Sequence, residues 1–277
     1  MRAKLSSHLT YANVMATAAM FIALGGSAWA LSRGEVKSKH IATNAVKSKH
    51  IKQSQVTTAK LRDNAVTAPK LACKGNSAAD EMIRAGSVCI DRYENSIWDA
   101  PVGGTRITGT IPCDANGQDC KGKIFARSVA GVPPRTGITW FQAQQALANS
   151  QKRLPTSAEW QQAVAGTPDS TTCNVGTGSA DNTGANSGCI SDWGANDMVG
   201  NAVEWVADWD EQADNCANWP EDFGEDFTCF GDNTLSRFPG AVIRGGNFNV
   251  NTDAGPFAVG TFLRPSESSN AGFRGAR

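Results

Sequence analysis

The eight cysteines constrain the fold of this chain more than any other feature. All of them lie at or after Cys73. An even number is typical of a disulfide framework when a chain is exported. Eight cysteines allow roughly a hundred pairings, so the connectivity stays open. The spacing favours sequence neighbours: Cys73–Cys89, Cys113–Cys120, Cys173–Cys189 and Cys216–Cys229. No CxxC pair occurs, which argues against the alternative of a zinc site.

The N-terminus indicates export. Arg2 and Lys4 precede an apolar stretch that begins near Val14, and Ala28-Trp29-Ala30 has the small-x-small pattern of a cleavage site. Residues 1–30 are therefore interpreted as a signal peptide. A membrane anchor is the alternative, because the apolar stretch approaches the roughly 17–20 residues that span a bilayer. In both cases we expect a protein that is secreted or anchored at the extracellular face of the membrane.

Residues 31–72 form a basic decapeptide-repeat segment, with nine Lys/Arg against two acids. Apolar residues recur every five positions from Val36 to Leu71, a period that fits neither a helix nor a strand. The segment is predicted to be a linker, or a stalk that orders by self-association or against the cell envelope. Its basic charge favours anionic envelope polymers or lipids. Nucleic acid is not expected as a partner, because no aromatic residue lies between the lysines.

The absence of histidine limits the chemistry of residues 73–277, which we expect to form one domain. All three histidines precede it, at His8, His40 and His50. A Ser-His-Asp triad, a Cys-His pair and the common histidine-based zinc and iron sites are therefore excluded there. The domain is acidic, with fifteen Lys/Arg against twenty-four Asp/Glu. A metal site in it would use oxygen ligands, unless thiols remain free.

Two helices are predicted in this otherwise loop-rich domain. Thr139 and Gln142 fit a capping box at the start of TWFQAQQALANS, and Thr156 and Glu159 fit another within RLPTSAEWQQAVAG. Gly166 is expected to end the second helix. We expect both helices to pack on one core. Short strands are predicted near residues 87–93, 241–245, 257–263 and 272–274.

Four ordered motifs resemble the formylglycine-generating, or sulfatase-modifying factor, family. They are RLPTSAEW (153–160), GANDMVGNAVEWVADW (194–209), VIRGGNF (242–248) and the closing GFR (272–274). CIDRYENS (89–96) is similar to the opening of such domains, so the resemblance covers about residues 85–277. It implies an α+β fold related to C-type lectins. Such a fold has little regular secondary structure and is stabilised by disulfides and calcium.

The resemblance also implies a structural calcium site in DMVGNAVEW. The matching ligands are the side chains of Asp197 and Glu204 and the carbonyls of Gly200 and Ala202. Asp197 replaces the asparagine that is usual in the family and adds a negative charge. A second family calcium site is represented by Asn174 alone. The alternative interpretation of this stretch is a capped turn without metal.

The oxidase chemistry of the family does not carry over to this chain. Active members bind copper through two cysteines after the RGG turn, and the matching residues here are Val250 and Gly255. Copper is not expected, because Cu(I) needs soft thiolate ligands. The main hypothesis is a non-catalytic module that binds an extracellular glycan or protein. Four short polar residues after the turn are the candidate ligand contacts: Asn247, Asn249, Asn251 and Asp253.

Two enzymatic alternatives stay open. One is the formylglycine-generating oxidase with an unusual site. The other is a carboxylate-based hydrolase that uses two of the nine acids in residues 208–233, although their spacing selects no pair.

The arginines and tryptophans of the motifs have two interpretations. Arg153, Arg244 and Arg274 are expected to be framework residues that pair with acids or carbonyls, with contact to an anionic ligand as the alternative. Four tryptophans are expected in the core rather than at a ligand surface: Trp140, Trp160, Trp205 and Trp209.

Overall fold

The computed structural model describes most of the domain and short parts of the N-terminal region. The described residues are 11–24, 41–43, 45–52, 55–56, 73–211, 217–218, 225–229, 239–263 and 268–277. The chain divides into two compact units, Met1–Thr67 and Ala68–Arg277.

The first unit contains helix α1 (Tyr11–Leu24) and a short 3-10 turn at Ser48–His50. Over the residues described, no helix combines the length and the apolarity needed to cross a membrane. In the basic segment, backbone turns recur every five residues, joining Ala45 N to Ala42 O, His50 N to Lys47 O and Gln55 N to Lys52 O. The apolar residues of these repeats are exposed: Ile41, Val46, Ile51 and Val56.

The second unit is built on a six-stranded sheet. Its strands are β5 (Val203–Glu211), β6 (Ala217–Asn218), β7 (Phe227–Cys229), β8 (Pro239–Arg244), β9 (Val259–Leu263) and β10 (Ala271–Phe273). The order of the strands across the sheet is β10-β5-β8-β9-β7-β6. β10 runs parallel to β5, and β7 runs parallel to β9. Two hairpin-like pairs accompany the sheet: β1 (Met82–Ala85) with β2 (Val88–Asp91), and β3 (Asn95–Trp98) with β4 (Phe125–Ser128).

Both predicted helices are present, with their predicted caps. Helix α2 spans Trp140–Asn149 and helix α3 spans Ser157–Val164, and each begins with a complete capping box. In each box the threonine hydroxyl accepts a hydrogen bond from the backbone N–H of the residue three positions later. A side-chain oxygen of that later residue accepts a hydrogen bond from the threonine backbone N–H. Two otherwise unpaired backbone donors are thereby satisfied at each helix start.

The expectation of one common core for the two helices is wrong. Helix α2 packs with Trp205 and Phe273 in one apolar cluster, whereas Trp160 of α3 lies in another. The sheet separates the two clusters, because alternate strand residues face opposite sides. On β5, Val203 and Trp205 belong to the α2 cluster, and Val206 belongs to the α3 cluster.

Three of the four expected disulfides are formed. Cys73–Cys89, Cys113–Cys120 and Cys173–Cys189 have S–S distances of 2.03, 2.00 and 1.97 Å. The fourth expected pair involves Cys216, which lies outside the described residues, so Cys216–Cys229 stays a prediction. Each bridge closes a loop among short strands and turns, and such a bridge typically stabilises a fold by about 2–4 kcal/mol.

Candidate functional site

The stretch DMVGNAVEW forms a turn with three left-handed residues. Asp197, Gly200 and Asn201 have φ angles of 57°, 71° and 51°. Aspartate and asparagine tolerate this region better than most residues. At Gly200 a side chain is also excluded by space, since a Cβ atom there would overlap the carbonyl of Asn174. The backbone therefore passes Asn174 closely enough to form an isolated bridge with it.

Glu94 is the centre of the contacts that hold this turn. Its Oε1 accepts from the backbone N–H of Ala202 at 2.8 Å, and its Oε2 accepts from Asn201 Nδ2. Asn201 Oδ1 in turn accepts from Asn174 Nδ2 at 2.9 Å and from the backbone N–H of Asp181 at 2.8 Å. Sequence reasoning missed Glu94, and the only available signal was its position in CIDRYENS.

Glu204 is bound by protein donors. Arg274 Nε donates to both carboxylate oxygens at 2.8 and 2.7 Å, and Arg274 Nη2 donates to Oε1 at 2.6 Å. Trp160 Nε1 donates to Oε2 at 2.7 Å. These four contacts use about all of the lone-pair sites of a carboxylate. A calcium ion bound by Glu204 would have to share these oxygens with Arg274 and Trp160.

The region nevertheless carries an excess of buried negative charge. Glu94, Asp197 and Glu204 are buried with one guanidinium, that of Arg274. Burial raises the pKa of Glu94 well above its usual value, and the charges of Asp197 and Glu204 raise it further. Burial likewise raises the pKa of Asp197 to about 6. Unneutralised carboxylates beside backbone oxygens are the chemistry that a hard cation prefers.

The predicted calcium ligands differ in whether their side-chain oxygens are already hydrogen-bonded to the protein. Asp197 Oδ2 accepts from the backbone N–H of Gly184 at 2.7 Å, and its second oxygen has no hydrogen bond to a described residue. Asn174 Oδ1 accepts a hydrogen bond from the hydroxyl of Thr177. Within the described ranges, only Cys113, Asp119 and Cys120 bring three metal-ligating groups within 4.8 Å of one another, and those cysteines are disulfide-bonded. Among the predicted side-chain ligands, Asp197 is thus the one with a carboxylate oxygen free of hydrogen bonds to described residues.

The RGG turn shapes a second region. Gly245 and Gly246 have φ angles of 88° and 75°. A Cβ atom at Gly245 would lie 2.8 Å from the carbonyl of Met198 and 3.1 Å from the ring of Trp160, so only glycine fits there. The loop that follows, residues 247–255, closes back on this turn, where Gly255 N donates to Gly245 O at 3.3 Å.

A pocket of about 180 Å³ lies beside this loop. Asn247, Val250 and Asp253 line it, so one family cysteine position and two of the candidate contacts face the same space. The other two candidates, Asn249 and Asn251, are not in its wall. The backbone N–H of Asn249 donates to Asn247 Oδ1 at 2.8 Å, and the side chain of Asn251 lies against Gly176.

Asp226 fills the space beside the other family cysteine position. A Cβ atom at Gly255 would overlap the Asp226 carboxylate. Asp226 Oδ2 accepts from the backbone N–H of Phe257 at 2.7 Å, and Oδ1 is buried without a partner among the described residues. Burial raises the pKa of Asp226 to about 6, with a smaller contribution from the charge of Asp169. Sequence reasoning did not single out Asp226, because nothing distinguishes it from the other acids of residues 208–233.

The fold and these sites define a class of protein: a loop-rich, disulfide-bonded α+β domain. The chain belongs to the sulfatase-modifying factor enzyme 1-like domain family, which it matches over residues 11–277. The match extends N-terminal to the motifs that first indicated the family. No curated protein matches the chain significantly.

Several solved structures are similar to part of this chain at low sequence identity. The Major Tropism Determinant I1 variant has a TM-score of 0.44 and 18% identity, covering 70% of this chain and 51% of that one. Treponema denticola variable protein 1 has a TM-score of 0.37 and 15% identity, covering 72% and 99%. PvdO from Pseudomonas aeruginosa has a TM-score of 0.37 and 15% identity, covering 69% and 80%. The chain spans about half the length of the Major Tropism Determinant.

Proposed function

We propose that this protein is an exported or surface-anchored sulfatase-modifying-factor-like domain that binds an extracellular ligand and does not oxidise one. The observation that supports this most is the replacement of the two family cysteines. Val250 lines the pocket with an apolar side chain, and Gly255 is packed against the carboxylate of Asp226. A copper ion held by two thiolates has no counterpart in this arrangement.

The pocket beside residues 247–255 is the proposed binding site. Rigid elements hold it, because the strands β8 and β9 form its floor and Gly245 packs on Trp160. Ligand contacts placed on loops over a rigid frame are a common arrangement in binding proteins. Its volume of about 180 Å³ is below the roughly 300–1,000 Å³ of drug-sized ligand sites. The pocket would therefore receive one small group of a ligand, such as a sugar substituent or a side chain.

An oxidase assay tests the non-catalytic proposal. The full chain, loaded with copper, would be incubated with a cysteine-containing sulfatase peptide, and the peptide mass followed. We expect no conversion, whereas an active family member with both cysteines gives the loss of sulfur and formation of aldehyde. Aldehyde formation by this chain would overturn the proposal.

Glycan and peptide arrays test binding. We expect retained ligand without turnover, and we expect Asn247→Ala to weaken the binding. The matched control is Asn186→Ala, a polar substitution in a loop outside this pocket. Equal binding by the pocket variant and the control would exclude this pocket as the ligand site.

A carboxylate-based hydrolase is the second candidate. The observation in its favour is Asp226, a buried carboxylate whose pKa is raised to about 6 by burial and, to a smaller extent, by Asp169. A general acid needs such a raised pKa, and a second carboxylate nearby could assist it. Hydrolysis of an array glycan that is lost in Asp226→Asn, in a variant that stays folded, would favour this candidate over simple binding.

Export and envelope contact are part of the same proposal. Three formed disulfides support an oxidising compartment, where such bonds persist. The basic segment is proposed to contact an anionic envelope polymer or lipid. Co-sedimentation of the full chain with anionic vesicles should weaken with added salt and on combining Lys47→Gln, Lys49→Gln and Lys52→Gln. Unchanged sedimentation of the triple variant would rule out this contact.

Calcium is proposed as a structural ion of this module. The excess of buried carboxylates around Arg274 supports it, and Asp197 is the side chain with a free oxygen. Bound there, the ion would neutralise negative charge and stabilise the left-handed turn. It has no proposed role in a reaction.

A further inference from the structure

Arg244 differs from the other two arginines of the family motifs. Arg153 forms a two-pronged pair with Glu159, both bonds at 2.6 Å, and Arg274 pairs with Glu204. Arg244 has only 6% of its surface exposed. Among the described residues, no carboxylate lies within 4.0 Å of its guanidinium, as the ion pairs of the structure show.

The hydrogen bonds of Arg244 go to neutral acceptors. Nη1 donates to Ser157 Oγ at 3.0 Å, and Nη2 donates to Gln161 Oε1 and, at 3.2 Å, to the carbonyl of Pro256. Nε is buried and has no partner in the described structure. The guanidinium also lies 4.7 Å from the centre of the Trp160 ring. These contacts orient the guanidinium plane and leave its charge without an anion in contact.

The electrostatics agree with this description. Burial lowers the pKa of Arg244 to about 10, against the opposing effects of Asp226 and Asp208. Asp208 uses one oxygen to accept from the backbone N–H of Ser157 at 2.6 Å. A buried cation without a contacting counter-ion is costly, and a bound anion would reduce that cost.

Arg244 is also part of the wall of the pocket beside residues 247–255. Most of the remaining wall is apolar, including Phe227, Ile243, Val250 and Val259. Asp253 also lines it. A ligand that suits this wall has an apolar body and one negative charge. A dianion would be repelled more strongly by Asp253 and by the nearby Asp226.

We propose that this pocket binds a small organic carboxylate with an apolar body, its carboxylate next to Arg244 and its body against Val250 and Phe227. This assignment rests on the proposed binding function and specifies the ligand class. The same chemistry is presented by a free aliphatic acid and by the C-terminal carboxylate of a peptide that ends in an apolar residue.

Calorimetry on the full chain tests the assignment. The probes are 4-methylpentanoate, its neutral amide, inorganic phosphate, and a peptide ending in leucine with a free or an amidated C-terminus. We expect the affinity for the acid to be at least roughly tenfold higher than the affinity for the amide, which is the contribution of about one charge-assisted hydrogen bond. Tighter binding of the free-ended peptide than of 4-methylpentanoate would identify a protein terminus as the source. The reverse order would identify a free acid.

Three variants complete the test. Arg244→Gln should weaken binding of the acid by a similar factor. Arg153→Gln, which alters an exposed motif arginine, should leave this affinity unchanged. Val250→Phe fills the pocket while keeping Arg244, and should abolish binding even if Arg244→Gln proves unstable. Equal affinity for acid and amide, or binding of phosphate alone, would overturn the carboxylate assignment. Array ligands whose binding is weakened by Asn247→Ala would in that case still support the binding function. If the arrays find no ligand, that result would count against the binding function separately.

Discussion

The carboxylate of Asp226 occupies the space that a side chain at residue 255 would need. A Cβ atom on Gly255 would overlap it. The φ angle of Gly255 is not in the left-handed region, so the requirement for glycine is one of space. Residue 255 is one of the two positions that the sequence motifs match to the family's cysteines, and the carboxylate of Asp226 fills the space beside it.

Gly255→Ala should destabilise the domain by about 1–3 kcal/mol, the usual cost of overpacking. Gly109→Ala is the control, because nothing lies within 4 Å of a Cβ at Gly109 and its φ is ordinary. Denaturant unfolding measures both. The cost of Gly255→Ala should shrink when Asp226→Ala is present. If the two substitutions add without coupling, the overlap of these residues is not the cause.

Glu204→Gln should destabilise the domain by about 3–5 kcal/mol, because it leaves the guanidinium of Arg274 buried without its counter-ion. Asp119→Asn removes an acid from an exposed pair with Lys123 and should have little effect. Chemical denaturation of the two variants side by side gives the comparison. Similar small losses for both would show that Arg274 finds another partner.

Stability should fall as the pH rises from about 4 to 6. Burial raises the pKa of Asp226 from its ordinary 3.8 to about 6 in the folded state. In that interval the folded protein binds more protons than the unfolded chain, so the stability present at lower pH is lost as the pH rises.

Asp226→Asn should reduce this slope. Between pH 4 and pH 7, the free energy of unfolding of the variant should rise relative to that of the native protein by on the order of 2–3 kcal/mol. Melting temperature against pH measures the difference. Parallel curves for the two proteins would show that Asp226 does not titrate in this range.

A fourth disulfide, Cys216–Cys229, is expected from the spacing. Peptide mapping without reduction should find it together with the three bridges of the structure. Cys113→Ser with Cys120→Ser is the reference variant, since it removes one known bridge and leaves the others. A free thiol at Cys216 would contradict the expectation.

Calcium should raise the melting temperature of the native protein, and a chelator should reverse the rise. An ion that binds only the folded state stabilises it by about 2.7 kcal/mol at a hundredfold excess over Kd. Asp197→Gly should abolish the calcium-dependent change. Glycine keeps the left-handed backbone that Asp197 adopts, so the variant removes the ligand without adding strain.

Asp119→Asn is the matched control for the calcium experiment and should respond as the native protein does. An identical calcium response in Asp197→Gly would place the ion elsewhere. No response in the native protein would mean that the contacts of Glu94 and Arg274 stabilise the turn without metal.

Sequence reasoning was most successful where the relevant contacts are local. The capping boxes at Thr139 and Thr156 each involve residues three positions apart, so the pattern itself contains both partners. The three formed disulfides join neighbouring cysteines for the same reason. The ordered motifs identified the family, which the match over residues 11–277 confirms. The assignment of the family's cysteine positions to Val250 and Gly255 stays a prediction.

The sites required the tertiary structure. Glu94 reaches Asn201 and Ala202 more than a hundred positions away, and Arg274 reaches back to Glu204. Arg274 and Glu204 were both recognisable in the sequence as motif residues, but the sequence did not show that they pair. The prediction that motif arginines act as framework residues is confirmed for Arg153 and Arg274. Arg244 also contacts a carbonyl, but it has no acid in contact.

The sequence by itself determined what depends on short separations and on the identity of residues: the capped helices, three neighbouring disulfides and the family. Only the tertiary structure decided that the helices lie on opposite sides of one sheet, that Asp226 packs against Gly255, and that Arg244 lines a pocket. The physical reason is that these contacts depend on how distant segments are brought together. Burial there changes the charge and the hydrogen bonding of a side chain in ways that its neighbours in the sequence do not reveal.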